Sequence, residues 1–221
     1  NTGASWTPSN AGLPVPDLAA LGGINRQSGQ TLYIALDKQG IYKTIDGGVN
    51  WNPWGNTAND ENSKYARTLT ADSSNASRFY IGGLSGVSKT SDGAATIDSG
   101  NMNGGGRINA ITHDRDASYT AFIAAHFPLR LNYIYGDYNS DALFTPIENG
   151  VTGATSDGVV YQDRYSPATP APLYVTTNNR GIFKSTNGGT SFAAINNGLP
   201  SMIGKLSRLA FDPTLNVPES S

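Results

Sequence analysis

Short apolar runs alternate along the chain with turns rich in glycine, asparagine and serine, and the runs recur in a fixed order. Four strand-like stretches, "TLYIALD", "RFYIGGL", "TAFIAAH" and "PLYVTTN", are each followed by a related segment: "GIYKTIDGGVNW", "GVSKTSDGAATI", "YIYGDYNSDALF" and "GIFKSTNGGTSF". Apolar and polar side chains trade places at every second position, the period of a half-buried strand. Ahead of these pairs stand "LAALGGINRQ", "ARTLTADSSN", "INAITHDRDA" and "GVVYQDRYSP", and a fifth such stretch, "LSRLAFDPTL", follows the last unit. Each unit predicts strand, turn, strand, loop, strand, turn, strand. The residues that close the turns, Trp51, Ile97, Phe144 and Phe192, lie about 47 positions apart, and a four-stranded unit of that period is a propeller blade. The expected fold is all-β: a β-propeller segment of four-stranded antiparallel blades at about residues 17–54, 65–100, 107–147 and 157–195.

The two ends extend the pattern. "SWTPSNAGLP" at residues 5–14 matches "SFAAINNGLP" at 191–200, so residues 5–9 read as the last strand of a preceding blade and residues 205–213 as the first strand of a following one. Strand edges without partners invite association, so these strands are expected to pair with the remaining blades of a larger chain or with a second copy. The chain opens at Asn1 with neither an initiator methionine nor an apolar leader, and it reads as a processed or excised segment.

The recurring turn has its own chemistry. In "TIDGGVNW" the Asp46 carboxylate accepts hydrogen bonds from the backbone ahead of it, Thr44 offers a hydroxyl, Gly47 and Gly48 take positive φ, and Trp51 returns to the layer between sheets. The turn resembles the Asp-box, or BNR repeat, of sialidases, sortilin-type receptors and the xyloglucan-active family 74 glycoside hydrolases. Thr44, Asp46, Gly47, Gly48 and Trp51 match well, as do Ser185, Asn187, Gly188, Gly189 and Phe192 in the last unit. Thr90, Asp92 and Gly93 match in part, with Ile97 in place of the aromatic residue, and the third unit matches weakly. The resemblance implies that these turns lock the outer hairpin of each blade and lie on the face opposite the ligand.

Composition narrows the function. Charged residues make up 14% of the chain and the net charge is −2, with the basic residues scattered singly, so no field attracts nucleic acid. No apolar run is long enough to predict membrane insertion. Cysteine is absent, which excludes a disulfide framework, a zinc ribbon and a thiol nucleophile.

On the expected ligand face, the ends of the second strands place Asp37, Leu84, His126 and Asn178 at one equivalent position. Arg130 and Arg180 stand nearby, "FPLRLN" forms a wall in the third unit, and the link "GNTANDENSKYAR" supplies Asp60, Glu61 and Tyr65. Carboxylates, amides, arginines and aromatic rings suit a polysaccharide or other glycan, whose hydroxyls take polar contacts and whose ring faces stack. Family 74 likeness implies an extracellular inverting glycoside hydrolase acting on β-1,4-glucans such as xyloglucan. Asp37 would then be acid or base, Asp60 or Glu61 the second carboxylate, and His126, Asn178, Arg180, Tyr65 and Arg130 substrate contacts. Inversion needs two carboxyl groups roughly 6.5 to 9.5 Å apart. The alternative is a non-catalytic glycan- or protein-binding propeller: a lectin, an adhesin or a sortilin-like module.

No cofactor is expected. Asp137, Asn139, Asp141 and Glu148 follow the spacing of an EF-hand calcium loop, but Ala142 stands where the loop needs glycine and Pro146 falls inside it. "HDRD", with His113, Asp114 and Asp116, is a looser metal pattern still, and Asn75-Ala76-Ser77 is a single glycosylation sequon.

Overall fold

The computed structural model describes residues 5, 7–14, 18–22, 30–72, 75–101, 106–114, 121–125, 130–134, 144–146, 149–151, 158–163, 166–177, 180–200 and 209, with the backbone alone at 18–22, 76, 100–101, 130–134, 144–146 and 158–159. Within the four units the strands fall where the two-residue period puts them, whereas residues 5 and 7–9, expected as the last strand of a preceding blade, form no strand. The first sheet consists of β1 (Leu18–Gly22), β2 (Leu32–Leu36), β3 (Gly40–Thr44) and β4 (Asn52–Pro53). A short helix, α1 (Glu61–Lys64), leads to the second sheet: β5 (Thr68–Asp72), β6 (Asn75–Gly82), β7 (Gly86–Thr90) and β8 (Asp98–Asn101). The third sheet consists of β9 (Ile108–His113), β10 (Ala121–Ala125), β11 (Arg130–Ile134) and β12 (Phe144–Pro146). The fourth consists of β13 (Gly158–Gln162), β14 (Leu173–Thr177), β15 (Gly181–Ser185) and β16 (Ala193–Ala194). In every sheet the strands are antiparallel and neighbours in space are neighbours in sequence.

First strands of successive sheets touch, β1 with β5, β5 with β9 and β9 with β13. Because side chains alternate between the two faces of a strand, each sheet presents one apolar set to the sheet before it and another to the sheet after it. Tyr33, Ala35 and Ile41 of the first sheet meet Leu69, Phe79 and Ile81 of the second, with Trp54 and Ala94 filling the junction. Tyr33, Trp54 and Phe79 form an aromatic trio with ring centroids 4.5 to 4.8 Å apart. Such pairs add about 0.5–1.5 kcal/mol each beyond the area they bury. Tyr80 and Val87 meet Ile108, Ala121 and Ile123 at the next junction, and Phe122 and Ala124 meet Val160, Leu173, Val175 and Phe183 at the third. The remaining face of the first sheet, with Ile34, Leu36, Tyr42 and Trp51, is covered by Leu13.

The turns joining third to fourth strands are built alike in three sheets. Thr44 Oγ1 accepts the Gly48 N–H (3.0 Å) and donates to Asp46 Oδ1 (2.6 Å), while Asn50 donates its backbone N–H to Oδ1 (3.0 Å) and its amide to Oδ2 (2.9 Å). Thr90, Asp92, Ala94 and Thr96 repeat the pattern in the second sheet. Ser185, Asn187, Gly189 and Ser191 repeat it in the fourth. Gly47, Gly48, Gly188 and Gly189 all take positive φ, the conformation glycine enters without a Cβ clash. Trp51 and Phe192 are buried behind their turns. The side chain of Phe144 and the third sheet's turn, with Asp137, Asn139 and Asp141, lie outside the described residues, as do Glu148 and, apart from residue 209, the stretch 205–213.

Residues 9–13 strap the first sheet without forming a strand. Trp51 donates its backbone N–H to Ala11 O (2.8 Å) and its indole N–H to Ser9 O (2.9 Å). Gly12 has φ 86°, and a Cβ there would run into the Trp51 carbonyl oxygen. The link to the fourth sheet repeats this contact: Phe192 N–H donates to Asn149 O (2.8 Å), and Gly150 at φ 92° faces the Phe192 carbonyl.

Candidate functional site

The repeated turns occupy one end of the sheets, and the turns from second to third strands occupy the other. At that second end Asp37 sits exposed in the tight turn between β2 and β3. Gln39 N–H closes the turn on Leu36 O (3.1 Å), with Lys38 at φ 62° and Gly40 at φ 82°. Gly40 is required there by close approach as well as by φ, because a Cβ would press on the backbone of Ala58.

Ala58 belongs to an insert that fills the junction between the first two sheets. A 3-10 turn at Thr57–Asn59 leads into α1, which packs against β2 and β3 on one side and β6 and β7 on the other. Thr57 anchors it by accepting the Ile41 N–H (3.0 Å) and donating to Trp54 O (2.9 Å). Asp60 caps α1 by accepting the Ser63 N–H (2.7 Å), a favoured role for Asp because the first N–H groups of a helix have no partner within it. The same carboxylate accepts the Ser88 hydroxyl (2.7 Å) and the Ser99 hydroxyl, which ties the insert to β7 and β8. Glu61 is exposed and pairs with Lys64 at 3.8 Å, whose ammonium lies 5.8 Å from the Tyr65 ring centroid. An ion pair this exposed contributes little stability.

Of the residues expected to line this face, Asp37, Asp60, Glu61 and Tyr65 gather on the hairpin and insert at the first junction. Arg180 is exposed at the same end of the fourth sheet, where its N–H is held by Thr177 Oγ1 (3.1 Å) and its carbonyl by the Asn196 amide (2.9 Å). Leu84 stands exposed on the turn between β6 and β7. His126, Asn178 and the Arg130 side chain lie outside the described residues. Asp60 is engaged by three donors, whereas Asp37 projects into solvent.

A polar ladder absent from the sequence reading lies at the opposite end. Asp72, at the end of β5, faces His113 Nε2 (3.2 Å) from β9 and Arg78 Nη1 (3.4 Å) from β6, with the carboxylate fully buried. One sheet further on, Gln162 donates its amide to Asp114 Oδ1 (2.8 Å). Its signal was present in the aligned "LTAD", "ITHD" and "VYQD": an acid closes the first strand of one sheet, and the residue before the corresponding acid of the next sheet reaches back to it. Two of the three residues of the "HDRD" metal pattern, His113 and Asp114, thus take part in inter-sheet contacts, and no cluster of metal-binding side chains occurs among the described residues.

Four antiparallel sheets, stacked face to face with their first strands adjacent, form part of a β-propeller, and known structures agree. An ancestral GH74 enzyme superposes with a TM-score of 0.62 at 18% identity over 86% of this chain and 25% of that one. The GH74 xyloglucanase from Xanthomonas campestris superposes with a TM-score of 0.55 at 18% identity, over 83% of this chain and 32% of that one. YCF48 from Cyanidioschyzon merolae gives 0.54 at 14% identity, over 82% and 60%. The chain therefore spans about a quarter of the length of the first of these, about a third of the second and 60% of the third. Neither a family model nor a curated protein matches the sequence.

Proposed function

We propose that the chain is the glycan-binding part of an extracellular Asp-box propeller, and that the end carrying Asp37, the insert 57–65 and Arg180 is its ligand face. The observation that carries this reading is the state of Asp60. Its carboxylate is spent on Ser63, Ser88 and Ser99, which makes it a structural tether and leaves Asp37 without it as a catalytic partner. The insert also fills the first junction, so the surface is open: Asp37, Glu61, Tyr65 and Leu84 form a rim of polar, aromatic and apolar groups suited to the hydroxyls and ring faces of a neutral polysaccharide. A net charge of −2 suits neutral ligands better than anionic ones.

A second reading, hydrolysis of a β-1,4-glucan by inversion, draws support from the GH74 neighbours and from Asp37 at the tip of its hairpin. Affinity electrophoresis through xyloglucan and other β-glucans, with a parallel assay of reducing ends, separates the two. Retardation without release of reducing ends, weakened by Tyr65→Ala and by Arg180→Ala, is the expected result. Release that disappears in Asp37→Asn with binding retained would establish the hydrolase instead. Failure of every polysaccharide to retard the protein would remove the glycan reading.

A further inference from the structure

The three junctions inside the chain provide a template for the far face of the fourth sheet. Ile41 and Ile182 occupy equivalent places, because each accepts a backbone N–H from the segment after the fourth strand, from Trp54 (2.8 Å) and from Ile195 (2.9 Å). Cross-strand pairs agree: Tyr33 with Lys43 and Tyr174 with Lys184 stand in the same register, and each lysine lies over its tyrosine ring at 5.6 and 5.5 Å. On the first sheet this face is closed by the second sheet, and Trp54 is only 6% exposed. On the fourth, Tyr174, Ile182 and Lys184 are half-buried, Ile195 is 40% exposed and Leu199 39%.

The link at 197–199 is formed in the same way as its two counterparts. Asn197, Gly198 and Leu199 correspond to Ala11, Gly12 and Leu13 and to Asn149, Gly150 and Val151. Leu13 and Val151 each pack into the core of the sheet that follows. Gly198 holds φ 82°, as Gly12 and Gly150 hold 86° and 92°. At those two glycines the Cβ position is taken by the carbonyl of the aromatic residue ending the next turn, whereas at Gly198 it is open among the described residues.

We propose that this face is a docking surface for one further blade of the same construction, taken from the first sheet of a second copy of the chain. The complement exists on the chain itself: Ile34, Leu36, Tyr42 and Trp51 form a face now capped by Leu13, and "NNGLP" at 196–200 can replace "NAGLP" at 10–14 with the same backbone contacts. Trp51 N–H then donates to Asn197 O instead of Ala11 O, and the exposed Ile195 and Leu199 become buried. Exchange of equivalent segments between copies is a low-cost route to a dimer.

Light scattering over a concentration series tests this on the whole chain. The expected mass is twice 23.2 kDa, falling to 23.2 kDa on dilution. Ile195→Asp and Leu199→Asp remove side chains already exposed in a single copy, so both should keep the unfolding temperature of the diluted wild type and remain monomeric at concentrations where the wild type dimerises. Gly198→Asn is the sharper probe. Asparagine tolerates positive φ, and its Cβ has nothing within 4 Å among the described residues of one copy but takes the place of the incoming turn carbonyl. It should therefore abolish the dimer, while Gly93→Asn, at φ 73° in equally open space on the second sheet, should leave it intact. A mass of 23.2 kDa at every concentration, or a dimer indifferent to Gly198→Asn and Ile195→Asp, would overturn the proposal.

Discussion

Asp46 illustrates how much one side chain can settle locally. Its hydrogen bonds from Thr44, the Asn50 N–H and the Asn50 amide favour the ionised form and hold its pKa at about 2, and Asp92 is lowered in the same way, chiefly by the Thr96 hydroxyl and N–H. A carboxylate whose pKa falls on folding stabilises the folded state above its unfolded value, about 3.9, and loses that contribution as pH drops through the folded value. Thermal stability should therefore fall from about pH 4 toward pH 2, with a shallower slope in the Asp46→Asn/Asp92→Asn double variant, as calorimetry across that range would show. The fourth sheet predicts how to repair the first substitution. Asn187 donates to the Ser191 hydroxyl, whereas an asparagine at 46 would present its amide to Asn50, whose own amide would have to turn over and offer its oxygen; a serine at 50 accepts without that rearrangement. Adding Asn50→Ser to Asp46→Asn should recover most of the lost melting temperature at neutral pH, where Asp46→Asn alone lowers it.

Hairpins and their closing aromatics were the most legible elements, because strand periodicity and turn chemistry are local. Trp51 and Phe192 lie buried where the spacing put them. Truncating Trp51 to Ala removes both its packing on Ile34, Leu36 and Tyr42 and its bond to Ser9 O, and should cost about 3 to 5 kcal/mol in chemical denaturation. The insert was less legible. "NDENSKY" reads as a polar link, and a four-residue helix has no periodicity to detect. What makes it a helix is tertiary: the Asp60 cap is held by Ser88 and Ser99, about 30 to 40 positions away, and Gly83 lets Asn62 approach the turn between β6 and β7. Asp60→Ala should raise hydrogen exchange at Ser63, Lys64 and Tyr65 without changing exchange in β14 and β15, a contrast that mass spectrometry resolves.

Across the whole molecule, sheets are joined by apolar faces and by the polar ladder at the ends of the first strands. Asp72 couples the second sheet to the third through His113 while taking Arg78 from its own sheet. Removing one partner of a buried ionic contact leaves a desolvated charge, so Asp72→Ala should destabilise by about 3 to 5 kcal/mol. Gln162→Ala, which removes a neutral donor from Asp114, should cost less, roughly 1.5 to 3 kcal/mol, since the bond it loses is to a carboxylate. Equilibrium unfolding of the two variants orders these effects, and an equal cost would contradict the charge argument.

Strand positions within the four units, the 47-residue period, the turn residues and the aromatics that close the first and fourth turns could all be read from the chain, because they depend on alternation along a strand and on contacts within about five residues. The assignment of roles to acids could not. Asp37 and Asp60 look alike as loop acids, yet one projects into solvent and the other is held by hydroxyls from β7 and β8. His113 and Asp114 read as neighbours in one pattern, yet they face carboxylate and amide partners on different sheets. Those distinctions rest on contacts between residues about 30 to 50 positions apart, which exist only once the sheets have stacked and the interior has excluded water from the groups between them.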